Sequence, residues 1–467
     1  MKTQDNLLEK LFKLKENGSD LRTEIIGGLT TFVTVAYVLL VIPNILKISG
    51  MNSLGLVGDK ASSIFSNDPV VASIFASTCI VSAIGTLIMA FWANLPFVLA
   101  PGIGLTAFFS YNICLKLGYT WQQGLAAVFI SGVLFIIITL TSIREKIIDA
   151  IPTNMKLAIT AGIGLFIALI GLKSGGIIVP NEGTLVAFGK FTDKSVILTI
   201  IGLLITVILV ARNIKGAMLI SIISTTLIGI PMGVTKLSEG FKLFSMPHIG
   251  ETFFAVDFNG LLVHNGHGFL GAVISILMVV ITLSLVDLFD TIGTLLGTAQ
   301  RAGMIDKTGK VKNIRRALES DAIGTTIAGL LGTTTLATVV ESAAGISAGA
   351  RTGLHNVVVG ILFIIALFFS GIVGIIPASA TAPALIVVGI LMLGAVKDID
   401  FDDFTEAVPA FLTITIMPFS YSIANGIAAG IIFFPLMKLF TGKRKEVHPI
   451  LYILAILFVL RFLILPD

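Results

Sequence analysis

The chain has 467 residues, of which 55% are hydrophobic and only 12% charged, where a soluble globular protein carries about 25% charged residues. A formal net charge of +4 leaves no basic surface of the kind that holds nucleic acid. Two cysteines in or beside apolar runs, five scattered histidines and the absence of a G-x-x-x-x-G-K-[ST] loop argue against a disulfide framework, a metal cluster and an ATP-driven pump.

Residues 1–22 (MKTQDNLLEKLFKLKENGSDLR) are too charged for a cleavable leader, and they read as a cytoplasmic amphipathic arm. Apolar runs near the ~20 residues needed to cross a bilayer then recur to the end of the chain. Candidate spans are 25–47, 69–92, 95–116, 121–141, 155–173, 194–212, 215–234, 268–299, 320–333, 338–350, 353–376, 382–397, 407–440 and 449–466. The expected class is an all-α polytopic membrane protein of about 14 segments.

Two spans are unsuited to plain helix. Span 95–116 opens LPFVLAPGIGLTAFF, and span 338–350 follows the β-branched run GTTTLATVV. Irregular backbone at membrane depth survives only where protein or a water-filled cavity surrounds it. The polar stretch 235–266 divides the chain into halves of seven predicted spans. An odd number per half puts the halves in opposite orientation, an inverted repeat, and the broken third and tenth spans then correspond. Paired interrupted segments of this kind point to a transporter's binding site.

Basic residues orient the chain. Lys2, Lys10, Lys13, Lys15 and Arg22 precede the first span. Arg144, Lys146 and Lys156, then Arg212 and Lys215, then Arg301, Lys307, Lys310, Lys312, Arg315 and Arg316 follow in later connections. All fall on one side if the N-terminus is cytoplasmic. Lys438, Lys443, Arg444 and Lys445 join them only if 407–440 folds into two passes around Pro418 and Asn425-Gly426, and the pattern leaves that open.

Candidate chemistry gathers in a few places. In ITLSLVDLFDTIGTLLG (281–297), Asp287 and Asp290 share a helix face. Intramembrane carboxylates generally face a cavity, a partner or a proton path, although the cytoplasmic end of the span is an alternative. Glu341 opens the possible half-helix SAAGISAGA, and Arg351, ten residues on, lies about 15 Å away along a helix. Glu341 therefore either pairs with another span or contacts a polar ligand. The small residues after it also allow close helix packing. In the third span Pro101, Gly102 and Gly104 break the helix before Thr106 and Phe108. That Phe is a core or lipid-facing side chain, or one that stacks on a flat ligand ring. TTFVTVAY offers Thr30, Thr31, Thr34 and Tyr37, for which back-bonding to the helix is the common fate of the threonines.

TEIIGGLTTFVTVAY (23–37), LAPGIGLTAFFSY (99–111), DLFDTIGTLLG (287–297), VVESAAGISAGARTGL (339–354) and PFSYSIANGIAAG (418–430) together resemble the adenine/guanine/hypoxanthine permeases. These form a branch of the nucleobase–cation symporter-2 (xanthine/uracil permease) family. The motifs fall in family order over nearly the whole chain. The resemblance implies two inverted seven-span repeats, with a short strand and a half-helix in each of spans 3 and 10. It implies a core domain (23–141, spans 1–4, with 267–376, spans 8–11) and a gate domain (142–234, spans 5–7, with 377–467, spans 12–14). The arm 1–22 and an extracytoplasmic connector 235–266 complete the chain.

The resemblance further implies a purine held between spans 3 and 10 and facing span 8. The family's carboxylates carry over to Asp287, Asp290 and Glu341, all three of them candidates for proton coupling, and Thr106, Phe108 and Val340 complete the candidate set. An ionised carboxylate is acceptor-only, so Glu341 suits the N–H donors of a purine. The chain departs from the family at Thr106, where Asn is common, and at Ile42 before Pro43, where Asn is common. The first departure bears on which purine is preferred.

The implied protein is a secondary importer of purine bases in the cell membrane, driven by protons through an elevator-like movement of core against gate. It needs no cofactor or metal, and a second copy of the chain as partner is left open. An anion transporter or channel on the same architecture is the alternative, and it would want a cation where this chain has acids. A membrane enzyme lacks any nucleophile–base or metal constellation.

Overall fold

The structure is a computed structural model that describes residues 7–63, 68–141, 150–181, 183–236, 244–245, 249–263 and 313–464, with short pieces of 276–311 between. Lys2, Arg144, Lys146, Arg301, Lys307, Lys310 and Lys312 lie outside the described residues.

The helices, in chain order, are α1 (Leu7–Phe12), α2 (Leu21–Val35), α3 (Val38–Leu46) and α4 (Pro69–Ile88). Strand β1 (Leu99–Pro101), α5 (Ile103–Ala107) and α6 (Trp121–Leu140) follow. Next come α7 (Thr153–Ser174), the hairpin β2 (Ile178–Asn181) and β3 (Leu185–Phe188), α8 (Lys194–Ala211), α9 (Ala217–Met232) and α10 (Phe258–Val263). The second half holds α11 (Val279–Leu288), α12 (Ile314–Leu331), β4 (Leu336–Thr338), α13 (Ser342–Ser347) and α14 (Gly353–Ala366). It closes with α15 (Ala378–Leu393), α16 (Phe404–Phe419), α17 (Ile423–Phe440) and α18 (Pro449–Ile464). Seven of the described helical runs are long and apolar enough to cross a membrane, and several shorter apolar helices accompany them. The protein is an all-α polytopic membrane protein with two inverted seven-span repeats.

The centre of the molecule shows how the repeats meet. β1 and β4 pair antiparallel, Leu99 with Thr338, Ala100 with Ala337 and Pro101 with Leu336. Each strand runs straight into its half-helix, α5 or α13, so the antiparallel pairing turns the two strand–helix units head to tail. The supports repeat as well. Ala-Ile-Gly-Thr occurs at 83–86 in α4 and again at 322–325 in α12. Thr86 donates to Leu99 O at 3.0 Å, and Thr325 donates to Leu336 O at 3.2 Å. The paired glycines permit the crossing beneath the strands: a Cβ on Gly85 would stand 2.5 Å from Leu336 Cδ1, and one on Gly324 2.7 Å from the same atom. Three-residue strands flanked by glycine and threonine thus satisfy their backbone inside protein, as membrane depth requires.

The helices pack in two groups. α6 packs on α12, α14 on α4 and α2, α13 on α2, and α12 on α4. In the other group α15 packs on α7 and α8, α16 on α7 and α17, and α17 on α18. α5 against α7, α2 against α9 and α3 against α15 join the groups.

The stretch 407–440, left open as one pass or two, is two helices. α16 ends at Phe419, Tyr421 takes a left-handed φ of 55°, and Ser422 caps α17 through Asn425 N. The run 449–466, counted as the last span, is consequently a further apolar helix after the pair. The turn returns α17 to the level of the α16 N-terminus, where Lys443 Nζ lies 2.7 Å from Asp403 Oδ2. Lys438 lies 2.8 Å from both Glu406 and Glu446 there. Hydrogen bonds from Lys443 and Thr405 hold the Asp403 carboxyl well below the usual carboxylate range. Lys438 and Lys443 therefore share an end of the bundle with Asn154, which donates to Glu406.

Candidate functional site

The site grows from the two half-helices. Glu341 is the residue before the first turn of α13, and it is half-buried while its strand β4 is fully buried. Its carboxylate oxygen Oε1 accepts from the Tyr37 hydroxyl at 2.7 Å. Tyr37 stands at the break between α2 and α3, is 2% exposed, and comes from the opposite half of the chain.

Asp290 continues the helical run of α11 and is also half-buried. It lies against Gly102, the residue that opens α5, where a Cβ would come 3.1 Å from Asp290 Oδ2. Among the described residues, the acids Asp321 and Glu341 stand near enough to Asp290 to act on it through charge. One carboxylate thus stands at the start of each half-helix, where free backbone N–H groups and the positive end of the helix dipole gather. Val340, beside Glu341, is 55% exposed.

The remaining predicted residues are placed differently. Asp287, about one turn before Asp290 on the same helical run, is fully buried. Thr106 is buried; its hydroxyl donates to Gly102 O and pairs with Thr334 Oγ1, each at 2.8 Å. Since Thr106 has one proton, Thr334 donates in the second contact. Phe108 is 2% exposed and packed in the main apolar core. Thr106 and Phe108 support α5 from behind in this conformation. Arg351 is bonded to Ile346 O and Ala350 O, away from Glu341.

Three connections were not anticipated. Asp321 in α12 is fully buried and accepts from Thr291 at 3.2 Å, while Thr338 of β4 donates to Thr291 O at 3.0 Å. Glu24 in α2 is fully buried and accepts the backbone N–H groups of Arg351, Thr352 and His355, at 2.8, 3.2 and 3.1 Å. It does for the α14 N-terminus what a capping side chain does from within.

Thr31, for which back-bonding was the expected fate, instead meets His355 Nε2 at 2.8 Å and accepts Gly345 N–H at 3.1 Å. Asn356 Nδ2 donates to Leu95 O and Phe97 O, so its Oδ1 faces His355 Nδ1. That places the histidine proton on Nδ1 and makes Nε2 the acceptor of the Thr31 hydroxyl. α2, α13 and α14 are so joined into one body. A Cβ on Gly345 would stand 2.6 Å from Gly27 O, which keeps both positions small. Asp321 could have been found as an acid beside the AIGT repeat, but it follows Arg315 and Arg316 and reads as a surface residue.

Among the described residues no three of His, Cys, Asp and Glu gather as a metal-holding group. The arrangement offers acceptors to a ligand that brings N–H donors, and two acids repel an anion.

A helical bundle with paired, oppositely directed half-helices and polar groups at their starts defines a membrane transporter of the inverted-repeat class. The same fold occurs in the transmembrane domain of the cyanobacterial bicarbonate transporter BicA. It matches with a TM-score of 0.60 at 14% identity, over 88% of this chain and 97% of that one. It occurs too in the anion transporter SLC26A9, with a TM-score of 0.56 at 14% identity over 94% and 68%. More specifically, the family model of the xanthine/uracil permeases, described as Permease family, matches residues 22–429, and the chain belongs to that family.

A relative in Methanocaldococcus jannaschii is 47% identical over 98% of this chain and 99% of its own length. The adenine permease AdeP of Escherichia coli is 39% identical, over 97% and 96%. The guanine/hypoxanthine permease PbuO of Bacillus subtilis is 41% identical, over 97% and 100%. The protein is a permease, not an enzyme.

Proposed function

We propose that the chain imports purine nucleobases across the cell membrane by proton symport. The observation that carries this reading is the pair of half-buried carboxylates, Glu341 and Asp290, at the starts of the two half-helices. Purine rings present N–H donors, and ionised carboxylates are acceptors only. The names of the relatives, adenine and guanine/hypoxanthine permeases, support the substrate class. Glu341, Asp290 and the deeper Asp287 are the candidates for the group that gains and loses the coupling proton, one of the aspartates foremost.

In this reading the group containing α2–α6 and α11–α14 is the core that carries the site. The group containing α7–α9 and α15–α18 is the gate against which it moves. The N-terminal arm is cytoplasmic, as the positive-inside rule expects. An anion substrate is disfavoured, because the positions that would hold it are acidic.

The test is uptake of labelled hypoxanthine, guanine and adenine by cells lacking their own purine permeases, with and without a protonophore. Uptake of at least one purine, abolished by the protonophore, is expected. Absence of all uptake sinks the substrate class, and uptake that persists without the gradient sinks the coupling alone.

A further inference from the structure

We infer that Tyr37 is a positioning residue for substrate: its hydroxyl fixes the plane of the Glu341 carboxylate so that a pair of adjacent ligand N–H groups can meet it. The inference rests on the substrate class proposed above and goes beyond it by assigning this role to a first-span side chain.

A carboxylate has about four lone-pair sites on two oxygens. The Tyr37 hydroxyl takes one of them on Oε1, at 2.7 Å. Both lone pairs of Oε2 and one of Oε1 are left for the ligand. That is sufficient for two parallel N–H bonds, whose energy depends on the plane of the acceptor.

Glu341 needs such a brace because of where it stands. It lies outside the first turn of α13 and bonds none of that helix's N–H groups, and it is half-buried at the open side. Apart from the Tyr37 hydroxyl only its own backbone touches the carboxylate, a local contact that does not tie it to another element, and without Tyr37 binding would include the cost of ordering it. Tyr37 is well suited to hold it. The ring is 2% exposed, packed in the main core, and set where the first span breaks between Val35 and Val38. The break directs the phenol toward the half-helix, while Thr31, one turn and a half earlier on α2, ties the same half-helix through Gly345 N. The first span thus holds α13 by its backbone at one point and by its carboxylate at another.

Tyr37→Phe removes one oxygen and keeps the ring. The expected result is a rise in KM of about 10-fold or more, the size of one hydrogen bond to a charged acceptor, with the maximal rate within about twofold of wild type. Competition separates positioning from a general loosening of the site. Guanine offers an adjacent N1–H and amino N–H, whereas hypoxanthine offers a single N–H on that edge. The inhibition constant of guanine should therefore rise several-fold more than that of hypoxanthine.

Membrane abundance and the unfolding temperature in detergent, measured alongside, should match wild type. An unchanged KM, an equal rise for both bases, or a fall in maximal rate with KM unaltered would each overturn the inference. A wild type that takes up no purine would instead defeat the substrate reading, so the two failures are distinguishable.

Discussion

Gly102 is a residue at which the site has little room for a side chain. It starts α5, and a side chain there would meet Asp290 Oδ2 at 3.1 Å and Leu105 Cδ1 at the same distance. Leu105 is fully buried and cannot yield without disturbing the core. The carboxylate must yield instead. Gly102→Ala should then lower substrate affinity by about 10-fold while costing no more than about 1–3 kcal/mol of stability. Parallel measurement of ligand binding and of thermal unfolding checks this, and normal binding in a stable Gly102→Ala protein would show that the Asp290 position does not matter.

How far the residues were legible follows from the same geometry. Glu341 and Asp290 could be read because a charge in an apolar run has few explanations. Tyr37 was offered by TTFVTVAY, but its pairing with Glu341 could not be read, because an aromatic residue in a membrane span is ordinarily core or interface, and its partner lies 304 positions away. Thr106 entered the candidate set through the family resemblance, and Phe108 was read either as a core or lipid-facing side chain or as one stacking on a ligand ring. The structure turns both inward, Thr106 onto Gly102 O and Thr334 and Phe108 into the core.

At the scale of elements, the short α13 depends on α2 and α14. Six residues make a marginal helix by themselves, and its surroundings supply what its length does not. Glu24 is the joint most exposed to mutation, since three backbone N–H groups converge on it. Glu24→Ala leaves those donors buried without an acceptor, at about 1–3 kcal/mol for each that finds no water. The expected outcome is a large fall in the unfolding temperature of the purified protein, with substrate KM changed less than by Tyr37→Phe. A stable Glu24→Ala protein would show that the α14 N-terminus finds other acceptors.

Among the elements, sequence pattern located both broken spans, because Gly-, Pro- and Thr-rich runs interrupt the hydropathy. It did not settle 407–440, where apolar residues continue through the turn. That turn is made by the left-handed Tyr421 and the Ser422 cap, and a tyrosine carries no turn signal.

For the whole molecule, the antiparallel β1–β4 pair and the repeated AIGT supports make the centre approximately two-fold symmetric, while the chemistry on it is not. One half brings Gly102 and Tyr37, and the other brings Asp290, Asp321 and Glu341. The acids come from one repeat and the groups that receive them from the other, so neither repeat makes a site by itself. Segment counting could suggest the two repeats, although it took 407–440 as one span where there are two helices, but contacts that join the two halves leave no local signal.

The central claim is that purine transport runs through the Glu341 carboxylate. Its most direct test is accumulation of labelled purine by the purified protein in proteoliposomes under an inward proton gradient, comparing wild type with Glu341→Gln. The account predicts that wild type accumulates at least one of hypoxanthine, guanine and adenine, and that Glu341→Gln, inserted in equal amount, does not. Accumulation by Glu341→Gln at the wild-type rate, or by neither protein for any purine, would contradict it.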